Sequence, residues 1–85
     1  MDLTRVKIAV IGQGYVGLPL AIEFGKIYPT VGFDIKKVRI DELKRGIDLT
    51  NEATPEQLRS ADKLTFVDNI DKIKDGNIYV VTDPT

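Results

Sequence analysis

Gly12-Gln13-Gly14-Tyr15-Val16-Gly17 sets glycines at the first, third and sixth places of a six-residue run. That spacing suits a loop that closes around phosphate. The first glycine permits a tight strand-to-helix turn, and the second, lacking Cβ, lets backbone approach a pyrophosphate. The third lets a helix pack closely on the strands. The N-terminus of that helix offers free N–H groups and the positive end of its dipole to an anion. Asp34 follows near the spacing of about 20 residues at which a carboxylate meets an adenosine ribose. A carboxylate there accepts from the 2′-hydroxyl of NAD and repels the 2′-phosphate of NADP, so NAD is the expected cofactor. In the competing reading the glycines merely shape a turn and Asp34 caps the next helix. Lys36 and Lys37 fit solvated helix cations better than partners for a 2′-phosphate.

The same 85 residues contain no Cys and no His. They therefore lack a thiolate nucleophile and the commonest general base and metal ligand. Binding, rather than catalysis, is what these side chains suit. No catalytic residue and no metal ligand is assigned.

Positioning these groups requires alternating strands and helices. Val6 to Ile11 is β-branched and nearly continuous in apolar character, the pattern of a central parallel strand covered on both faces. Tyr15 to Lys26 predicts a helix whose apolar stripe is Val16, Leu20, Phe24 and Ile27. Pro19 fits only in a first turn, so either this helix starts late or its first turn is distorted. Val31 to Asp34 predicts a second strand, and Lys36 to Arg45 a second helix closed by Gly46. Ile47 to Ala53 is expected to be polar and irregular. Thr54-Pro55-Glu56-Gln57 carries a cap, a first-turn proline and a capping-box glutamine, which opens a helix running to Ala61. Strands are expected at Leu64 to Val67 and Ile78 to Val81, with a helical turn or two over Asp68 to Lys74 between them. The β-α-β-α-α-β-α-β order predicts the α/β class: the first half of a Rossmann fold, a four-stranded parallel sheet in order 3-2-1-4 with helical crossovers.

Composition agrees with one small domain: 42% hydrophobic and 29% charged residues at a net charge of −1. No basic run exceeds Lys36-Lys37, which argues against nucleic acid or a polybasic membrane surface. Apolar stretches fall far short of the roughly 20 residues of a membrane helix. The first residues hold no signal-peptide core, so a cytoplasmic location is expected.

The string Ile11-Gly12-Gln13-Gly14-Tyr15-Val16-Gly17-Leu18-Pro19 resembles the opening fingerprint of the UDP-glucose, UDP-N-acetylmannosamine and UDP-N-acetylgalactosamine 6-dehydrogenases. The likeness continues through Val31 to Ile35, Arg39 to Gly46 and Asn77 to Thr82, then Pro84-Thr85, so it covers essentially the whole chain. Asp48 to Ala61 is most similar to the bacterial branch that oxidises N-acetylated UDP-hexoses for capsule, Vi-type or O-antigen polysaccharides. The resemblance implies that Gly12, Gly14, Tyr15, Val16 and Gly17 contact the NAD pyrophosphate and that Asp34 binds the adenosine ribose. It sets Arg39 beside the adenine or its ribose, the alternative being an exposed helix cation. It puts Thr82, Pro84 and Thr85 near the cofactor at the end of the fourth strand. Two departures stand out. Gln13 occupies a usual Leu position, and Asp83 interrupts the Thr-x-Pro-Thr turn with a carboxylate that would weaken phosphate binding unless it points to solvent.

The resemblance also implies two successive hydride transfers from a sugar CH₂OH through a Cys thiohemiacetal. That Cys, the UDP-binding domain and a dimerising helix lie in later sequence of the family. The chain is accordingly expected to be a partial domain, by designed truncation or proteolysis, of a homo-oligomeric enzyme. Its bare fourth strand is expected to self-associate. Two other readings stand beside this one. A non-catalytic nucleotide-sensing module has no reason to carry Tyr15-Val16-Gly17-Leu18-Pro19. Another NAD(P) dehydrogenase, of the 6-phosphogluconate or hydroxyacid type, usually has Met in place of Val16.

Overall fold

A computed structural model describes residues 6–50 and 52–82 of the chain. Asp83, Pro84 and Thr85 lie outside the described residues, and with them the expectations placed there.

Four strands form: β1 (Ile8–Ile11), β2 (Thr30–Phe33), β3 (Leu64–Val67) and β4 (Ile78–Val81). They make one all-parallel sheet in the order β3-β2-β1-β4, as the alternating pattern predicts. Central β1 earns its apolar run, with Ile8, Ala9 and Val10 buried. The register is level: Ile11 pairs with Phe33 and Val81, and Phe33 with Val67. Ladder bonds continue one residue past the strands, Gly12 N–H to Phe33 O (2.7 Å), Asp34 N–H to Val67 O (3.2 Å) and Thr82 N–H to Ile11 O (3.0 Å). Gly12, Asp34 and Thr82, far apart in sequence, therefore leave the sheet along one carboxyl-terminal edge.

Helices α1 (Gly17–Gly25), α2 (Lys37–Lys44) and α3 (Pro55–Ser60) join the strands, with a 3-10 turn at Ile70–Ile73. Helix α1 starts two residues later than the pattern predicts, which puts Pro19 in the first turn, where its missing N–H costs nothing. Helix α2 ends in a Schellman motif. Gly46 has φ +78°, its N–H reaches Leu43 O (2.9 Å), and Ile47 N–H reaches Glu42 O (3.1 Å). At α3 the predicted capping box forms, with Gln57 N–H donating to Thr54 Oγ1 (3.1 Å) and Thr54 N–H to Gln57 Oε1 (2.8 Å).

Of the predicted apolar stripe on α1 only Phe24 packs, half-buried against Val6, Ile8, Val10 and Ala21. Val16, Leu20 and Ile27 are 45%, 36% and 61% exposed. The buried residues are Gly17, Leu18, Ala21, Ile22 and Gly25. Gly17, Ala21 and Gly25 fall at intervals of four and form a seam of small side chains. The helix backbone sits so close that a Cβ at Gly25 would lie 2.6 Å from Leu64 Cβ. Close approach, not side-chain size, selects the inner face. Leu18 and Ile22 then join Leu43, Ala53, Leu58 and Ala61 in a core that the partly buried Leu64 and Phe66 complete. On the sheet's opposite side Ala9, Val31 and Phe33 pack with Ile73 of the 3-10 turn.

Candidate functional site

The glycine loop spans the gap from β1 to α1. Gly12 has φ +97°, a conformation that L side chains rarely adopt. A Cβ at Gly17 would lie 1.7 Å from Gly12 O, so the helix start packs directly on the turn that feeds it. Gly14 is the opposite case, because a Cβ there meets nothing within 4 Å. Steric demands of the fold thus account for Gly12 and Gly17 but not for Gly14. Its bare backbone faces open space of the kind a phosphate would use. Helix α1 carries no side-chain cap at Val16, which leaves its N-terminus to other acceptors. Tyr15 and Val16 are exposed beside it.

Asp34 closes the other side. Its Oδ2 accepts the Gln13 N–H (3.0 Å), and its Oδ1 accepts the Lys36 N–H at the start of α2 (3.0 Å). A carboxylate has about four acceptor sites, so two backbone bonds leave room for two ribose hydroxyls. Asp34 thus braces the α2 start and keeps acceptor capacity for a ligand. Lys36 and Lys37 are exposed. Thr82 Oγ1 lies 2.9 Å from Ile11 O and 3.2 Å from Gly12 O, close enough to donate to either and tie the end of β4 to the loop. A groove of about 380 Å³ runs past Gly12, Gly14, Asp34, Ile35, Val38 and Arg39. Gly12, Asp34 and Ile35 also border an adjoining hollow of about 270 Å³ with Val81 and Thr82.

Arg39 is not an exposed helix cation. It is buried, though it lines the groove. Its Nε–H donates to Gln13 O (2.8 Å), while Nη1 donates to Asp48 Oδ1 (2.6 Å) and Glu42 Oε2 (3.2 Å). Its Nη2 has no hydrogen-bond partner among the described residues. Gln13 is buried as well, above Gly32, with Nε2 within 2.9 Å of Val10 O and 3.0 Å of Gly12 O. Its long side chain is a strut under the loop.

Asp48 was not singled out by residue type or spacing. It lies in the segment expected to be merely irregular, yet it is an internal hub. Oδ1 accepts from Arg39, the Thr50 N–H (3.0 Å) and the Thr50 hydroxyl (2.6 Å). Oδ2 accepts the N–H groups of Glu52 (2.7 Å) and Ala53 (2.8 Å). Burial by itself would raise its pKa, but the Thr50 hydroxyl, the Arg39 guanidinium and the backbone N–H groups of Thr50 and Ala53 outweigh it and lower the value to about 2. The one available signal was an Asx-turn pattern, Asp48-Leu49-Thr50 after a helix-ending glycine, which predicts local bonds but not the pairing with Arg39.

The sequence model of the NAD-binding domain of UDP-glucose and GDP-mannose dehydrogenases matches residues 6–85. The chain belongs to that family. As a UDP-glucose/GDP-mannose dehydrogenase NAD-binding domain, it is 57% identical over 83 residues to a UDP-N-acetyl-D-glucosamine 6-dehydrogenase of Salmonella typhi. That match covers 98% of this chain and 20% of the relative. It is 50% identical over 80 residues to the enzyme of the same name from Pseudomonas aeruginosa, covering 94% of this chain and 19% of the relative. Among solved structures, the UDP-D-ManNAc dehydrogenase of Pyrococcus horikoshii superposes with a TM-score of 0.74 at 32% identity, over 91% of this chain and 20% of that one. The chain therefore spans about a fifth of the length of the relatives it matches.

Proposed function

We propose that this domain holds NAD for a UDP-sugar 6-dehydrogenase that oxidises the CH₂OH of a nucleotide sugar to a carboxylate for polysaccharide biosynthesis. The observation that carries the reading is the pairing of Gly14's unobstructed backbone with the Asp34 carboxylate on one groove, in a chain of this family. The residues fit the cofactor. Gly12, Gly14, Tyr15, Val16 and Gly17 would hold the pyrophosphate, and Asp34 the adenosine ribose. Arg39 would border the adenosine, with Nη2 as a spare donor, and Thr82 would lie near the cofactor from the β4 side. Bound NAD supplies the hydride acceptor. These residues bind and orient it. A thiol-dependent step would have to come from outside the 85 residues, which contain no Cys. An N-acetylated UDP-hexose is the favoured substrate, since relatives at 57% and 50% identity carry that activity in their names. Among the described residues no helix is long and apolar enough to cross a membrane. We assign the cytoplasm as the setting.

Calorimetry with NAD and NADP tests the cofactor assignment. Two like unit charges about 4 Å apart at an effective dielectric near 20 repel by roughly 4 kcal/mol, the upper guide to how strongly Asp34 rejects a 2′-phosphate. NAD should bind much more tightly than NADP, and Asp34→Ala should weaken NAD by about 1.5–3 kcal/mol. Equal affinities for the two cofactors would overturn the assignment. The same reading includes a homo-oligomer. In the isolated chain, β4 pairs on its β1 side, and Tyr79 and Val81 are 48% and 74% exposed. An apolar strand at a sheet edge is a template for another chain. Light scattering should find concentration-dependent self-association that Val81→Lys reduces. A monomer at all concentrations would refute the edge argument.

A further inference from the structure

We propose that Asp48 is a positioning residue for the cofactor loop: through Arg39 it fixes the Gln13–Gly14 peptide and so sets the direction of the Gly14 N–H. The proposal rests on the cofactor reading above and adds a residue to it.

Three contacts converge on Gln13. Its N–H is held by Asp34 Oδ2 (3.0 Å), its carbonyl by Arg39 Nε–H (2.8 Å), and its side chain by the Val10 and Gly12 carbonyls. The carbonyl belongs to the peptide plane shared with Gly14. A trans peptide is planar, so its C=O and the following N–H point in opposite directions. Holding Gln13 O towards Arg39 therefore directs the Gly14 N–H away from Arg39. On the far side Gly14 O accepts the Leu18 N–H of α1 (3.0 Å), while no side chain packs where a Gly14 Cβ would stand, so the orientation of the Gln13–Gly14 peptide depends on such backbone tethers.

Arg39 can serve as a tether only if its own fork is fixed. Asp48 does this at 2.6 Å with a side chain of 0% exposure, while Glu42 makes the longer contact of 3.2 Å. Asp48 is itself immobilised by the Thr50, Glu52 and Ala53 donors. Both carboxylate oxygens are occupied from two sides, which an amide could not reproduce because its NH₂ end cannot accept. The chain of contact thus runs from the loop after α2, through one guanidinium, to the loop before α1.

The test uses the ¹⁵N-labelled chain with two variants. Asp48→Asn removes the charge, and Arg39→Lys keeps a cation but loses the planar fork. Each should weaken NAD on the order of ten-fold, the effect of one charge-assisted hydrogen bond. Each should also shift the Gly14 amide resonance. The two effects should not add in the double variant, because they act along one path. In Arg39→Lys the Glu52 and Ala53 amides should stay protected from exchange, which separates the tether from general loosening of the loop. A merely structural role would lower the urea midpoint while leaving the Gly14 resonance and the NAD affinity of the folded protein unchanged, and that result would overturn the proposal. Should Asp48→Asn fail to fold, Arg39→Lys decides alone, and wild-type affinity in it would overturn the proposal too. Failure of the wild-type chain to bind NAD would defeat the cofactor reading instead. An unshifted Gly14 amide defeats this proposal in either case.

Discussion

The loop before α1 and the loop after α2 both touch Arg39, and they are held in opposite ways. The first owes its turn to atoms it lacks, with Asp34 and Arg39 tethering only the Gln13 peptide groups. Gly12 can take φ +97°, Gly17 lets the helix meet the turn, and Gly14 leaves space. The second is held by charge, through Asp48, Glu42 and Arg39, all buried. Glu42 Oε2 adds to the clamp by accepting the Leu49 N–H at 2.8 Å. Shape by absence is exposed to steric substitution and carries no charge of its own to titrate. Shape by charge is the reverse, and three experiments sharpen that contrast.

Gly17→Val should have the largest effect. A Cβ 1.7 Å from Gly12 O cannot be accommodated without moving α1 off the sheet, so loss of the folded state, or destabilisation above about 4 kcal/mol, is expected. Thermal denaturation followed by circular dichroism measures it. A melting temperature near wild type would mean that the contact between helix and turn does not hold the fold.

Gly14→Val should divide the loop's two roles. Its Cβ meets nothing within 4 Å, so stability should change by less than about 1 kcal/mol while NAD binding is lost. Calorimetry on the folded variant checks this, and retained affinity would remove the phosphate cradle from the loop.

The smallest effect belongs to the charged loop. Asp48 has a folded pKa of about 2 against an ordinary 3.8. Its carboxylate therefore favours the folded form fully above pH ~4, and this contribution fades as pH falls from about 4 towards 2. Nearly two units correspond to about 2 kcal/mol. Urea midpoints of wild type and Asp48→Asn should differ at pH 6 and converge towards pH 2–3. A difference that does not depend on pH would show that Asp48 stabilises by shape rather than by charge.

Much of this molecule was legible from residue order. Strands β3 and β4 fall where the apolar runs place them. The α3 capping box, the Gly46 terminator and the 3-2-1-4 sheet also appear as expected. So does the convergence of the glycine loop, Asp34 and Thr82 on one edge. On α1 hydrophobic periodicity points to Val16, Leu20 and Ile27 as well as Phe24 because it weighs large side chains, whereas helix-to-sheet approach here is governed by the small ones at Gly17, Ala21 and Gly25. Arg39 is expected beside the ligand or at the surface, because a long charged side chain is usually solvated unless a partner is known to be waiting for it.

The sequence by itself determined what depends on near neighbours and backbone freedom. That covers which segments become strands and helices, which glycines turn the chain, and which carboxylate follows β2. These follow from steric limits and hydrogen bonds within a few residues. Only the tertiary structure decided what meets across the fold. It seats Gln13 under the loop against Gly32, turns α1 by its small seam, and brings Asp48 to Arg39 and Arg39 to the Gln13 carbonyl. The physical reason is desolvation. A charge may be buried only where a partner of the right geometry is already in place, and it is the assembled sheet and helices that put one there.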